Sequence, residues 1–122
     1  MTKIALVGHC GIDGPRIEAQ INSIVESADV TMVNDPDALA RVVDEGVDLL
    51  LFNRELGFGF EDEEGVDVMA EVRREHPEIK MMLISDYPDA QKAAQKIGAA
   101  PGFGKADLGT SKVEKAIKHA LS

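Results

Sequence analysis

Hydrophobic residues along the chain alternate between short continuous runs and longer segments with a helical period. The continuous runs predict buried strands at residues 3–8, 30–33, 48–52, 80–84 and 102–103. Between and after them, apolar residues recur every three or four positions, which predicts five helices that begin near residues 14, 36, 65, 88 and 111. This alternation is typical of βαβ units around a parallel sheet. The chain is therefore predicted to form one α/β domain over residues 1–122, with a doubly wound five-stranded parallel sheet.

Proline, glycine and acidic residues mark the ends of the predicted helices. The first helix is predicted to open at residues 14–15, with Asp13 or Gly14 as its N-cap. The second is capped at Asp35 and ends at Gly46. The buried face of the first helix is predicted to contain five apolar residues: Ile17, Ile21, Ile24, Val25 and Ala28.

Polar and glycine residues follow four of the predicted strands directly. In a doubly wound sheet, ligands bind at the carboxyl ends of the strands. A functional site is therefore expected where the residues after the strands meet: 8–13, 53–55, 85–86 and Lys105. This expectation uses only the topology of the sheet.

Three spaced features resemble the receiver domain of response regulators. Residues 48–53, Asp-Leu-Leu-Leu-Phe-Asn, are similar to the strand that ends in the phosphorylated aspartate of that family. Residues 83–85, Leu-Ile-Ser, resemble the fourth-strand end, where a serine or threonine contacts the phosphoryl group. Residues 98–99, Gly-Ala, followed by Lys105, are similar to the family's Gly-Ala and lysine. The resemblance covers almost the whole chain and implies a flavodoxin-like, CheY-like fold with strand order 2-1-3-4-5.

The same comparison shows where the chain departs from the receiver pattern. Asn53 stands at the phosphoacceptor position, and Gly8 and His9 replace the acidic pair. Receiver phosphorylation needs a carboxylate nucleophile and a Mg²⁺ ion held by hard oxygen ligands. We therefore expect an atypical pseudo-receiver with no catalytic residue, no metal and no cofactor. Gly102 stands at the aromatic switch position, with Phe103 one place along.

The expected pocket contains one lysine and few acids. Ser85 and Lys105 are its expected switch residues, and Asp13, Glu55 and Asp86 lie at its margin. A half-buried lysine without a partner is costly. Lys105 is therefore expected to pair with the Oδ1 atom of Asn53 or with a marginal carboxylate such as Asp86.

Three functions remain open at this point. The first is a phosphorylation-independent protein-interaction module of two-component-type signalling, without enzymatic activity. The second is a small-anion or phosphate sensor that uses the glycine-rich loop 8–14 together with Lys105. The third is a receiver that is phosphorylated at a non-standard carboxylate such as Asp13, Glu55 or Asp86.

Charge is unevenly distributed along the sequence. The net charge of −9 argues against nucleic acid or an anionic membrane as a partner. Residues 80–122 nevertheless hold only 4 of the 22 acids but 7 of the 13 bases. In the resembling family, the surface of the fourth helix, fifth strand and fifth helix is where protein partners and dimer mates dock. We expect an acidic protein partner, or a second copy of the chain, on the corresponding residues: Tyr87, Lys92, Lys96, Phe103, Lys112 and Lys115.

The remaining features carry less information about function. One cysteine, Cys10, and the lack of a signal-peptide or membrane-spanning pattern predict a cytoplasmic protein. His9 and Cys10 are adjacent but lack a second ligand pair, so they predict no metal site. The loop 57–64 carries Phe58 and Phe60, which either fold back over the pocket or form an apolar patch for a partner.

Overall fold

A computed structural model of the chain describes residues 1–61 and 63–122. In this part of the chain, five parallel strands form one sheet in the order β2-β1-β3-β4-β5. The predicted α/β class and strand order are therefore confirmed. The strands are β1 (Thr2–Val7), β2 (Ala28–Val33), β3 (Leu49–Asn53), β4 (Met81–Ile84) and β5 (Ala100–Phe103).

Helices cover both faces of the sheet. The structure gives α1 (Asp13–Ile24), α2 (Pro36–Glu45), α3 (Gly65–Glu75), α4 (Pro88–Lys96) and α5 (Ser111–Leu121). Two short 3-10 turns lie at Phe58–Phe60 and Lys105–Asp107. Apolar residues of α1 and α5 pack on one face of the sheet, and those of α2, α3 and α4 pack on the other. The buried strands therefore read as continuous apolar runs because both of their faces are covered.

Two of the predicted helix ends are confirmed by their capping interactions. The Asp35 carboxylate accepts a hydrogen bond of 2.7 Å from the Ala38 backbone N–H, which satisfies one free donor at the start of α2. Gly46 ends the same helix with a φ of +101°, a conformation that favours glycine.

The ends of α1 were predicted wrongly. Its N-cap is Ile12, without a side-chain capping hydrogen bond, and Asp13 is already the first helical residue. The helix ends at Ile24, so Val25 and Ala28 do not belong to it. Ala28 instead begins β2, where it is paired with Thr2. Both residues do pack against the α1–α5 side of the core, which explains why their spacing mimicked a helix face.

The segment between β3 and α3 folds back onto the body of the domain. Phe60 is 1% exposed and packs in the core beneath α2 and α3. The Gly59 N–H donates a hydrogen bond of 2.9 Å to the carbonyl of Asn34, which ties the segment to the start of α2. Phe60 therefore forms no surface patch. The Phe58 side chain and Asp62, the other parts of this prediction, lie outside what the structure describes.

In the described residues, no helix has the length and apolar character needed to cross a membrane.

Candidate functional site

The carboxyl ends of the strands bring most of the predicted site residues together. Gly8 and His9 follow β1, Asn53 ends β3 and Lys105 follows β5. The Asn53 side chain contacts Gly8, and the pKa of His9 responds to the charge of Lys105. The residues that follow or end these three strands therefore lie close together at one edge of the sheet.

The Asn53 amide is the centre of the pocket. Its Nδ2 group donates to the carbonyl of Glu55 at 2.9 Å and to the carbonyl of Gly8 at 3.3 Å. Gly8 is buried with a φ of +73°, and a Cβ atom there would overlap Leu56. The chain can thus bring the Gly8 carbonyl this close to the amide because glycine tolerates the left-handed conformation and the tight packing.

The donor set does not fit Mg²⁺. This ion needs several hard oxygen ligands in octahedral geometry. Here two carbonyl oxygens converge on an amide N–H₂ group rather than on a carboxylate, and the neighbouring Gly8 and His9 supply no carboxylate. Among the described residues, no group of three or more His, Cys, Asp or Glu side chains is placed to hold a metal ion.

His9 lies where the receiver pattern has an acid, and it is buried. Its Nε2 atom is 2.9 Å from the carbonyl of Leu51, so this nitrogen donates and Nδ1 is the unprotonated one. Nδ1 is buried without a hydrogen-bond partner among residues 1–61 and 63–122. Burial lowers the pKa of His9 from 6.5 to about 4, against the hydrogen bond to Leu51, which raises it; the charge of Lys105 adds to the lowering and that of Asp13 opposes it. The imidazole is therefore neutral at neutral pH.

Lys105 pairs with Asp13, one of the marginal carboxylates expected to serve as its partner, rather than with Asn53 or Asp86. The Nζ atom lies 2.7 Å from Oδ2 of Asp13, the first residue of α1. The hydrogen bond from Lys105 is the main reason why the pKa of Asp13 lies below its usual value. Asp86 instead accepts a hydrogen bond of 3.4 Å from the backbone N–H of Ala106. Because Asp13 neutralises Lys105, the geometry does not favour the small-anion hypothesis.

The Asp13–Lys105 pair gives a prediction for Asp13→Asn. We expect the variant to lose about 1 kcal/mol of unfolding free energy at neutral pH, because the side chains are only 18% and 35% exposed. The loss should vanish as the pH falls through the lowered pKa of Asp13, since the wild-type carboxylate is then protonated as well. Urea unfolding at several pH values measures both effects. Glu114→Gln, which removes the exposed pair with Lys118, is the control and should cost less than about 0.5 kcal/mol.

Gln91 is a site residue that sequence analysis missed. Its Nε2 group donates to the carbonyls of Leu83 at 2.8 Å and Ser85 at 3.1 Å, and its Oε1 accepts from the Gly102 N–H at 3.2 Å. One side chain of α4 thus joins the ends of β4 and β5. The sequence offered only two weak signals: a glutamine among the alanines of the predicted fourth helix, and Gly102 at the position of the aromatic switch residue.

Ser85 and Tyr87, which follow β4, differ in exposure. Ser85 is 8% exposed, and its Oγ accepts a hydrogen bond of 3.1 Å from the Tyr87 N–H. The Tyr87 ring is 59% exposed and lies 4.6 Å below the guanidinium carbon of Arg54. Arg54 also contacts Glu55 at 2.9 Å, so the Glu55 side chain lies at the surface and not inside the pocket.

Five of the six residues of the predicted partner surface are exposed, and Phe103 is not. Phe103 is 1% exposed, because this last residue of β5 pairs with Ile84 and faces the core under α1 and α5. Its place in the predicted surface was wrong. The other members are exposed: Tyr87, Lys92, Lys96, Lys112 and Lys115.

Comparison with known proteins gives matches in structure only. No protein-family model matches the chain, and no curated protein matches it. The signal receiver domain of a DNA-binding response regulator from Colwellia psychrerythraea superposes with a TM-score of 0.76 at 13% identity, over 99% of this chain and 98% of that one. The chain has the receiver-domain fold.

Two further solved structures give the same result. The non-phosphorylated receiver domain of the stress response regulator RcsB from Escherichia coli matches with a TM-score of 0.75 at 17% identity, over 98% of this chain and 93% of that one. A LuxR-family DNA-binding response regulator from Staphylococcus aureus matches with a TM-score of 0.77 at 14% identity, over 100% of both chains. At these identities the receiver-domain likeness is one of fold.

Proposed function

We propose that the chain is a pseudo-receiver: a protein-interaction module of two-component-type signalling that works without phosphorylation and is not an enzyme. The observation that carries the proposal is the Asn53 amide. It stands at the phosphoacceptor position of a receiver fold and donates hydrogen bonds to the carbonyls of Gly8 and Glu55. A carboxamide cannot form the acyl phosphate that a receiver carboxylate forms.

The acids near the pocket are poor substitutes for the missing aspartate. Asp13 is held in an ion pair by Lys105, and Asp86 accepts a backbone hydrogen bond from Ala106. Glu55 is exposed and paired with Arg54. Without a fitting Mg²⁺ site, none of these carboxylates has the cation that would neutralise an incoming phosphoryl group. This argues against phosphorylation at a non-standard residue.

The contacts around the pocket also support a single fixed conformation. Gln91 joins the ends of β4 and β5 through three hydrogen bonds, and the Lys105–Asp13 pair joins the end of β5 to α1. In this proposal the chain presents one permanent surface to its partner instead of switching between two. The surface that we assign is the exposed part of the α4–β5–α5 side, which suits an acidic protein partner or a second copy of the chain. Its residues are Tyr87, Lys92, Lys96, Lys112 and Lys115.

Intact mass after incubation with acetyl phosphate and Mg²⁺ tests the proposal. We expect no mass gain in the wild type, because it lacks both the acyl acceptor and the cation site. We also expect none in Asn53→Asp, because Gly8 and His9 still provide no carboxylate. A receiver domain with an aspartate at the acceptor position serves as the positive control for the reagent. A labile phosphoryl group on the wild type would overturn the proposal. Phosphorylation of Asn53→Asp alone would show that the missing aspartate at position 53 is the only barrier to phosphorylation.

A further inference from the structure

A groove between α2 and α3, on a different side from the α4–β5–α5 surface, has an apolar floor. The floor consists of Leu39, Phe60, Val68 and Val72, and the groove encloses about 230 Å³. Phe60 reaches this position because the segment before α3 is tied to the start of α2 through the Gly59–Asn34 hydrogen bond. The segment between β3 and α3 thus contributes Phe60 to the floor of the groove.

The rim of this groove is acidic. Asp44 on α2, Glu63 before α3, and Glu71 and Glu75 on α3 line it. Within the described residues, none of these four carboxylates forms an ion pair. Glu71 and Glu75 are four residues apart on one helix face, where like charges destabilise each other. The chain therefore keeps an unfavourable charge arrangement at the rim of an apolar-floored groove.

Four other grooves among the described residues differ from it in charge. Each of them is lined by at least one basic residue, namely Lys3, Arg54, Arg73 or Lys80. The α2–α3 groove has only carboxylates and His76 as ionisable lining groups. Its charge therefore selects a cationic occupant, and its floor selects one with an apolar side chain.

Size and charge then narrow the class of occupant. A volume of about 230 Å³ is below the range of roughly 300–1,000 Å³ that encloses a small organic ligand. It suits one or two apolar side chains of a protein segment. Carboxylates repel nucleic acid and anionic lipid. A second copy of this chain carries a net charge of −9 and is repelled over most of its surface.

We propose that the α2–α3 groove binds a basic amphipathic helix of a partner protein. One bulky apolar side chain of that helix packs on the floor of the groove. Lysines or arginines on its flanks contact Glu71, Glu75 and the other rim carboxylates, as in other helix-in-groove complexes. This site is independent of the proposed pseudo-receiver function, because it uses neither Asn53 nor the α4–β5–α5 surface.

Binding of a fluorescein-labelled 18-residue Leu–Lys amphipathic peptide, followed by anisotropy, tests the proposed site. We expect Glu71→Gln/Glu75→Gln to weaken binding by about fivefold or more, because both removed charges lie on the rim. Glu18→Gln/Glu26→Gln makes the same change in net charge on and just after α1, on the opposite face of the sheet, and should weaken binding less than about twofold. Equal weakening by the two pairs, or no binding by the wild type, would overturn the proposal.

A separate variant tests whether an apolar side chain of the peptide packs on the floor of the groove. Ala40 lines the groove but is exposed on α2, so Ala40→Phe should fill the groove without disturbing the core. We expect it to weaken peptide binding by about tenfold, whereas Ala19→Phe, at an exposed position on α1, should have little effect. Unchanged binding by Ala40→Phe would exclude insertion into the groove. Sedimentation velocity of the wild type and of Glu71→Gln/Glu75→Gln tests whether a second copy of the chain occupies the groove. A wild-type dimer that this double variant abolishes would assign the groove to the second copy and overturn the proposal.

Discussion

Replacing Gly102 by alanine is expected to lower the free energy of unfolding by about 3 kcal/mol or more. A Cβ atom at this position would overlap the carbonyl oxygen of Leu83 and crowd the amide of Gln91. The Leu83 oxygen belongs to a buried strand between two neighbours, so it cannot move aside without breaking the sheet. The effect should appear as a lower urea midpoint for Gly102→Ala.

The cause of this sensitivity is a bulge in β5. Met82 pairs with Ala100 and Ile84 with Phe103, so β5 contains one residue more than β4 over the same stretch. A bulge leaves backbone groups without their ladder partners. Gln91 supplies those partners to Leu83, Ser85 and Gly102. Glycine is required at position 102 because both the carbonyl and the glutamine amide approach the backbone there.

Two further variants separate steric overlap from a general effect of changing glycine. Gly11→Ala is the matched control, because nothing lies within 4 Å of a Cβ atom there and its φ is not positive, so a change below about 0.5 kcal/mol is expected. Gln91→Ala removes the three hydrogen bonds without any overlap and should cost about 2 kcal/mol. If Gly102→Ala unfolded at the same urea concentration as Gly11→Ala, the described packing around Leu83 would be wrong.

Sequence reasoning was sufficient for the fold. The five apolar runs predict the five strands of the sheet, because parallel strands buried on both faces are continuously apolar. The residues that follow the runs then mark the carboxyl edge of the sheet. Sequence reasoning predicted a marginal carboxylate as a partner of Lys105 but did not single out Asp13. That pairing depends on Asp13 entering α1 as its first residue, and the helix boundary was placed wrongly. Element boundaries are the least reliable part of a pattern-based assignment.

Phe103 and Gln91 show a second limit. A two-residue run at 102–103 predicts a strand but does not reveal a bulge, and an extra residue reverses the face toward which the following side chain points. Phe103 was placed on the partner surface because the resembling family docks partners at its fifth strand, but this residue is buried. The hydrogen bonds of Gln91 follow from the same bulge and have no counterpart in the local sequence.

The pocket as described is close to electrically neutral. A receiver pocket of the usual kind concentrates carboxylates around one lysine and relies on a cation to balance them. Here Asn53 and His9 are uncharged, and Asp13 and Lys105 balance each other. The two charged side chains of the pocket thus offset each other, and its other two named side chains add no charge.

Acidification is expected to destabilise the protein through His9. The unfolded chain binds a proton on this residue near the ordinary value of 6.5, whereas the folded chain resists protonation until the pH reaches the lowered pKa of about 4. The stability that the neutral imidazole contributes is therefore complete above about pH 6.5 and is lost as the pH falls toward 4. Between about pH 7 and pH 4.5 the loss should be about 2 kcal/mol, given about 1.4 kcal/mol per pKa unit.

The variant His9→Leu separates the effect of His9 protonation on stability from the effect of the carboxylates. Carboxylates, Asp13 among them, also become protonated in acid. It removes the hydrogen bond to Leu51, which lowers stability by a similar amount at every pH, but it also removes the titrating ring. Urea unfolding of both proteins at several pH values should thus show the wild type losing about 2 kcal/mol more than His9→Leu on acidification. His119→Gln, which removes an exposed imidazole on α5, should instead leave the wild-type dependence intact. If the free energy of unfolding changed with pH in the same way for the wild type and His9→Leu, the prediction would be wrong. The His9 ring would then be protonated as easily in the folded chain as in the unfolded chain.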